Sequence, residues 1–341
     1  MATRFRNSLL LGAALALLLL VFPGLSLLRK YADRKLPNFR KETHLYVYPD
    51  TPLSEVVAFV RDSCGARRPK SVERVFAQEK PHLKPGHYVI PAAAPSVYVT
   101  RMLQHGWQTP VPLVLSGTMR LKGAIARKIA NQLLLDSASM HAALCDRELL
   151  ASFGFTPQDV FSLLLPDTYQ VYWTATPEEV LASQKKAWDA FWTDERRSLA
   201  KDRGLTPKQV SVLASIVQSE TNYVPEMPLV AGVYLNRLAI GQKLEADPTV
   251  AFCFDYEPRR ILKRHLAVDS PYNTYLNTGL PPGPICVPSK DCLEAVLHPD
   301  HHGYLFFCAS PAMDGTHRFA TTYSEHLRNA AAFRKALDAR R

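Results

Sequence analysis

No two of the six cysteines (Cys64, Cys145, Cys253, Cys286, Cys292, Cys308) stand in C-x-x-C spacing, which argues against a zinc ribbon or a dithiol redox centre. H-E-x-x-H is also absent. The histidines His298, His301, His302, His317 and His326 are not interleaved with carboxylates at ligand spacing, so neither a metal nor a cofactor is expected. There is no G-x-S-x-G. S-x-x-K occurs at Ser183–Lys186 and Ser198–Lys201, but without the S-D-N and K-T-G companions that would give it meaning as an acyl-enzyme site. Zinc-finger, RRM and KH signatures are missing, as is any dense basic stripe interleaved with aromatics. The net charge of +10 is therefore not read as nucleic-acid binding. It suits an anionic surface such as phospholipid headgroups or an acidic polymer, or simply a solvated basic exterior. No internal repeat appears, and no low-complexity tract beyond one leucine-rich run.

What is present is a globular composition, 47% hydrophobic over 341 residues, with ample length for two domains and a sizeable core. The run Ser8–Leu28 carries no charge and is long enough to cross a hydrocarbon core of roughly 30 Å as a helix. A cleaved signal peptide is the rival reading. The run is long for such a segment and no A-x-A site follows, so an anchor is expected. Arg4 and Arg6 precede it, while Arg29, Lys30, Arg34, Lys35, Arg40 and Lys41 follow. That local charge count alone would leave the long C-terminal part in the cytoplasm. Cys286, Cys292 and Cys308 could supply one disulfide if this region lies outside the cytoplasm; buried free thiols are the alternative.

Along the chain, Thr43–Tyr48 and Lys84–Ile90 read as strands, with helices at Leu53–Val60 and Val72–Gln78 between them and another over 92–107. Pro110–Leu115 is strand-like and Met119–Leu135 helical. Thr176, Pro177 and Glu179 form a capping box that opens one long helix, with Leu181, Trp188, Phe191, Trp192 and Leu199 on its buried side. Leu293–Leu297 reads as helix, Tyr304–Ala309 as a buried strand, His317–Ala320 as an edge segment and Tyr323–Arg341 as a closing helix.

The stretch Thr206–Val250 carries the chemistry. Thr206 and Pro207 are an N-cap and N1 pair, after which Val210, Leu213, Ala214 and Val217 recur at helical spacing. Glu220 falls on the same stripe, whereas Gln218 lies about 100° round from Val217 and should face elsewhere. A carboxyl at the end of an apolar stripe loses hydration, which raises its pKa and equips it as a general acid near neutral pH. The competing reading is a helix that stops a turn early and leaves Glu220 solvated. Pro228–Ile240 reads as a second helix with Val230, Val233, Tyr234 and Leu238 as its apolar face and Gly241 as its stop. Ser270–Ile285, punctuated by proline and glycine and rich in Tyr and Asn, reads as a rigid loop suited to sugars, since rings stack on pyranoses and amides bond their hydroxyls.

The ordered set LLPDTY (Leu164–Tyr169), LASIVQSET, VYLNRL, LEADPTV, SPYNTY, GLPPGPI and HRFATTYSEH (His317–His326) resembles the endolytic murein transglycosylase (MltG, YceG-like) family. The resemblance implies an α+β protein: a cytoplasmic tail (1–7), a transmembrane anchor (8–28), a linker (29–42), a small LysM-like α/β module (43–108) and a larger catalytic domain (109–341). It implies a single-pass inner-membrane protein with its catalytic domain in the periplasm, against the local charge count. Its substrate would be nascent peptidoglycan glycan strands, with peptidoglycan polymerases (penicillin-binding proteins) as neighbours. The LysM-like module would either touch glycan or act as a spacer. Glu220 is the implied catalytic residue. Asn236, Arg237, Asp247, Thr249, Tyr272, Asn273, Thr274, Tyr275 and His317 are implied around the substrate. The chain departs from the family where Ser116-Gly117 and Phe161-Ser162 replace Glu-Gly pairs and where Gln218 replaces a second Glu.

A lytic transglycosylase needs one carboxyl group, because the C6 hydroxyl of the muramic acid replaces water as nucleophile. Asp247 as a second carboxylate would instead allow a hydrolytic muramidase; as a turn-capping residue before Pro248 it would do nothing chemical. A glycan-binding scaffold with a decayed site is the remaining alternative.

Overall fold

A computed structural model describes residues 23–339. The expected anchor at 8–28 lies outside the described residues as far as residue 22. Residues 23–35 are helical, and among the described residues no helix is long and apolar enough to cross a membrane. The fold is α+β, in two units: one runs to Val111 and takes in Tyr172–Thr174, the other comprises Pro112–Val171 and Ala175 onward.

In the first unit β1 (Thr43–Val47) is followed by α1 (Leu53–Asp62), α2 (Pro69–Glu79), β2 (Gly86–Ile90) and α3 (Ser96–His105). β1 and β2 pair antiparallel, Thr43 opposite Ile90 and Val47 opposite Gly86. Leu45 and Val47 alternate inward from β1 as the period of two requires, and meet Val56 and Val60 of α1, Val72 and Phe76 of α2, and Leu103 of α3. The helix expected over 92–107 begins at Ser96, because Pro95 is extended at its N-cap, and ends at Gly106 in the left-handed region.

β3 (Val111–Leu115) begins on the last residue before the second unit, which continues from Pro112 through α4 (Lys122–Ala130), α5 (Ser137–Ala143), α6 (Arg147–Ser152) and α7 (Val160–Leu163) to β4 (Asp167–Val171), the partner of β3. Then come α8 (Pro177–Phe191), α9 (Asp194–Asp202), α10 (Pro207–Glu220), α11 (Met227–Ala239), α12 (Asp247–Phe252) and α13 (Lys290–Leu297). The antiparallel hairpin β5 (Phe306–Ala309) and β6 (His317–Ala320) and the helix α14 (Tyr323–Asp338) close the chain.

Three expectations need correction. The helix expected at 119–135 is confined to α4, since Leu121 is extended and the Met119 carbonyl accepts the Val287 N–H. The long helix after Thr176 breaks at Thr193, whose hydroxyl caps α9 by accepting from the Arg196 N–H; Leu199 is only half-buried there. The expected buried strand at Tyr304–Ala309 shortens to β5, and all of β5 is half-buried rather than enclosed. The capping boxes at Thr176 and Thr206 are both formed, and Trp188, Phe191 and Trp192 are core. All six cysteines are free thiols.

α10 lies at the centre of this unit. Every residue from Val210 to Val217 is buried, not only the apolar stripe, because α11 and α13 pack on it and the Ile285 backbone lies over it. Its serines tolerate this by bonding backbone: Ser215 Oγ donates to the Val212 carbonyl and accepts the Ile285 N–H. The Ser270–Ile285 loop is pinned as closely at Gly283, where a Cβ would stand 1.9 Å from the Gln158 carbonyl oxygen. Gly283→Ala is accordingly expected to destabilise the fold by about 1–3 kcal/mol, the usual range for overpacking. Gly154→Ala, where φ is +82° and nothing stands within 4 Å of the new carbon, carries backbone strain alone. Thermal melts of the two variants check this: Gly283→Ala should have the lower midpoint, and equal midpoints would refute the tight contact.

Candidate active site

α10 ends at Glu220 because Thr221 turns extended (φ −141°, ψ 142°) while its N–H still closes the last turn on the Val217 carbonyl. The carboxyl is thus the final helical side chain, half-buried, with one face on protein and the other on a cavity of about 620 Å³. Thr221, Asn222, Tyr223, Ser310 and His317 also line that cavity. Tyr234 of α11, itself 1% exposed, donates its hydroxyl to Glu220 Oε1 at 2.8 Å. Burial drives the Glu220 pKa up to about 7. The Tyr234 hydrogen bond opposes that shift, the Asp247 carboxylate adds to it, and His317 and Arg237 pull it back. Burial also raises the Tyr234 phenol well above its ordinary value, so Tyr234 remains a donor.

Behind this pair stands a second carboxylate. Glu226, 7% exposed, accepts the His317 backbone N–H at 2.9 Å and the His317 Nδ1–H at 2.8 Å. With Nδ1 held as donor, Nε2 of a neutral His317 carries the lone pair. The Phe307 ring stands edge-on to both His317 and Tyr234, at centroid distances of 5.4 and 5.9 Å, which fixes the wall of the cavity.

The expected site residues separate into two groups, with Tyr272 apart from both. Glu220 and His317 line one cavity. Asp247 and Tyr275 join them electrostatically: the Tyr275 hydroxyl donates to Asp247 Oδ1 at 2.8 Å, and both groups sense Glu220 or its tyrosine partner. Asp247 is exposed at the first position of α12 with no capping bond, so the turn-capping reading does not describe it. The other group faces inward. Arg237, 7% exposed, donates to the Leu305 and Leu244 carbonyls, and Asn236 donates to those of His302 and Tyr304. Thr249 and Thr274 bond each other, and Asn273 Nδ2 donates to the Leu266 and Val268 carbonyls; all three are at most 1% exposed. They hold the loops that frame the site. Tyr272 lines a different cavity, beside Phe252. Gln218 faces away from the carboxyl, its Oε1 accepting the Ser289 N–H.

Sequence reasoning missed Tyr234 and Glu226. Tyr234 carried a signal, since a buried phenol must find a polar partner; Glu226 carried none. A larger cavity, about 940 Å³, lies by Thr206, Lys208 and Asn236 at the other end of α10. Lys208 is already paired there with Asp159, and Asn236 with carbonyls. At Glu220, by contrast, a protonatable group faces open space. Among the described residues no cluster of three or more His, Cys, Asp or Glu is placed to hold a metal ion.

A model of the YceG-like family matches residues 46–332. The chain is similar to the endolytic murein transglycosylase of Bacillus subtilis (strain 168), with 33% identity over 164 residues that make up 48% of this chain and 45% of the relative. It is similar to the protein of the same name from Streptococcus pneumoniae D39, with 30% identity over 177 residues, 49% of this chain and 31% of the relative. The matched part thus spans less than half the length of these curated relatives. The crystal structure of a yceG-like protein from Listeria monocytogenes superposes with a TM-score of 0.54 at 26% identity, covering 85% of this chain and 99% of that one.

The electrostatics make a signed prediction. Tyr234→Phe removes a bond to the carboxylate and should raise the Glu220 pKa; Asp247→Asn removes a like charge and should lower it. Carbon-13 NMR titration of labelled glutamate side chains reads both. Shifts in the opposite directions, or none, would contradict this arrangement.

Proposed function

Because this chain belongs to the YceG-like family, we propose that it is an endolytic lytic transglycosylase that cuts the MurNAc-β-1,4-GlcNAc bond within peptidoglycan strands. The observation that carries the reading is the Glu220 carboxyl: desolvated, titrating at about 7, and open on one side to a cavity. Such a group is protonated in a substantial fraction of molecules at neutral pH and can give its proton to the glycosidic oxygen. The C1–O bond then breaks as the leaving 4-hydroxyl takes that proton. The resulting Glu220 carboxylate accepts the proton of the muramic C6 hydroxyl, whose oxygen bonds to C1 and closes the 1,6-anhydro ring. Water does not enter, and the glutamic acid is regenerated. Tyr234 holds Oε1, which leaves the other oxygen for substrate, and its hydrogen bond stabilises the carboxylate stage. His317, fixed by Glu226, lines the same cavity and could meet sugar hydroxyls or N-acetyl groups there.

The first unit, with the order β-α-α-β and an antiparallel strand pair, supports the reading of a LysM-like module. The uncharged run at 8–28 supports a single-pass anchor; the periplasmic side is inferred from the peptidoglycan substrate, against the local charge count. Peptidoglycan polymerases would be its neighbours there.

Digestion of purified sacculi, read by mass spectrometry, tests the reaction. Wild-type protein should release fragments with anhydro-muramic ends, and Glu220→Gln should lower the rate by at least ~10²-fold, the low end for loss of a general acid. The rate should fall as pH rises through about 7, because the carboxyl must be protonated to act. Stability follows the same sign. The pKa is raised on folding, so burying the ionised form weakens the fold as pH rises from the unfolded value near 4.5 through about 7. Glu220→Gln should therefore gain more in melting temperature at pH 8 than at pH 5. Reducing ends, heavier by one water, would assign a hydrolase using Asp247 as second carboxylate. Sedimentation with sacculi and no released fragment would assign a binding scaffold.

A further inference from the structure

A third cavity in the second unit, about 560 Å³, is bordered by Arg120, Lys122, Arg127 and His141 and walled by the half-buried ring of Tyr272. Among the described residues none of Arg120, Lys122 and Arg127 reaches a carboxylate within ion-pair distance. Arg120 lies over the Tyr256 ring, 4.7 Å from its centroid, and its buried Nε has no hydrogen-bond partner. Lys122 Nζ donates one bond, to the Pro157 carbonyl, which leaves two of its protons for another acceptor. Gly123 keeps the backbone low between Arg127 and the His141 ring, whose nearest atoms stand 3.9 and 4.0 Å from where a Cβ would be. The one carboxylate on the border is Asp255, which is exposed. Like charges gathered around a hollow without counter-ions raise its positive potential and concentrate anions in it.

The cavity also neighbours the Glu220 site through shared lining residues. Asn222 lines both the Glu220 cavity and a small cleft beside Gln218, and Arg120 lines both that cleft and the basic cavity. A ligand that is anionic, carries an amine for Asp255, and is tethered to a glycan lying at Glu220 fits this layout. The peptide stem of peptidoglycan has that chemistry: several carboxylates and, at its diamino acid, one ammonium.

We propose that the cavity bounded by Arg120, Lys122, Arg127 and Tyr272 binds the carboxylates of the stem peptide attached to the strand that Glu220 cuts. This rests on the peptidoglycan reading above, and it makes the enzyme sensitive to whether the strand still bears its peptides. Arg127 and Lys122 supply charge to the peptide, Tyr272 supplies a face for its backbone, and Asp255 receives the ammonium.

The test uses the full chain with Glu220→Gln, so that no bond is cut and binding is read independently of catalysis. It is titrated calorimetrically with a synthetic stem tetrapeptide containing meso-diaminopimelate, with the same peptide amidated at every carboxylate, and with inorganic phosphate. The free tetrapeptide should bind and the amidated one should bind at least tenfold more weakly; added salt should weaken the free peptide. Arg127→Gln and Lys122→Ala should each weaken it severalfold at unchanged melting temperature. Should one of them unfold, the other decides. Equal affinity for free and amidated peptide, indifference to both substitutions, or phosphate binding as tightly as peptide would each overturn the proposal. A second arm compares cleavage of peptide-bearing and amidase-stripped strands by the Glu220-containing protein. Arg127→Gln should raise KM about tenfold on the former and leave the latter unchanged. An equal loss on both would overturn the proposal. Absence of cleavage on either strand by the unsubstituted protein would count against the transglycosylase reading and leave the calorimetry to decide the peptide site.

Discussion

The site depends on the removal of water from one carboxyl group at the end of a helix that is buried on every side. α10 has no solvent face between Val210 and Val217, so packing against α11 and α13 holds Glu220 at the edge of the interior, half-buried and open on one side to its cavity. Desolvation is the largest influence on that carboxyl, and the single strong bond it receives, from Tyr234, partly offsets the effect without cancelling it. The balance suits the proposed role, in which one carboxyl is first acid and then base. A fully buried glutamic acid without a donor would hold its proton too tightly, and a solvated one would not have a proton to give at neutral pH.

The groups around it are arranged in depth. Glu226 uses both oxygens on His317, one on the ring and one on the backbone, and so sets the first residue of β6 against the end of α10. Arg237, buried among carbonyls of Leu244 and Leu305, ties α11 to the segments on either side of it. Thr249, Asn273 and Thr274 do the same for the loop that precedes Gly283, where the backbone passes too close to Gln158 for any side chain. A loop rich in glycine, proline and asparagine would otherwise be the mobile part of such a molecule; here buried hydrogen bonds hold it. Polar motif residues of this kind serve the site by fixing geometry, and their substitution acts through the loops they anchor.

Much of the fold could be read from spacing. The strands around 43–47 and 86–90, the capping boxes at Thr176 and Thr206, the helix after Pro228 and the closing helix all appear where periodicity and caps predict them. The failures have local causes. Thr193 is a cap in the middle of a continuous apolar pattern, and the extended Leu121 delays α4 because Met119 is engaged by Val287, a partner far along the chain. Of the site, Glu220 and His317 were legible as candidates, whereas the role of Tyr234 was hidden within an apolar face.

What the sequence determined by itself is the helix opened by Thr206 and Pro207, the apolar stripe on whose line Glu220 falls, and the ordered motifs that mark the family, since all of these are properties of near neighbours in the chain; that the helix runs on to Glu220 and half-buries its carboxyl was left to the fold. Only the tertiary structure decided that Tyr234 meets Glu220, that Glu226 holds His317 from 91 residues away, and that Asn273 and Thr274 face inward. Hydrogen bonds between distant segments have no periodicity to betray them. A pKa set by burial exists only once the surrounding helices have closed around the group.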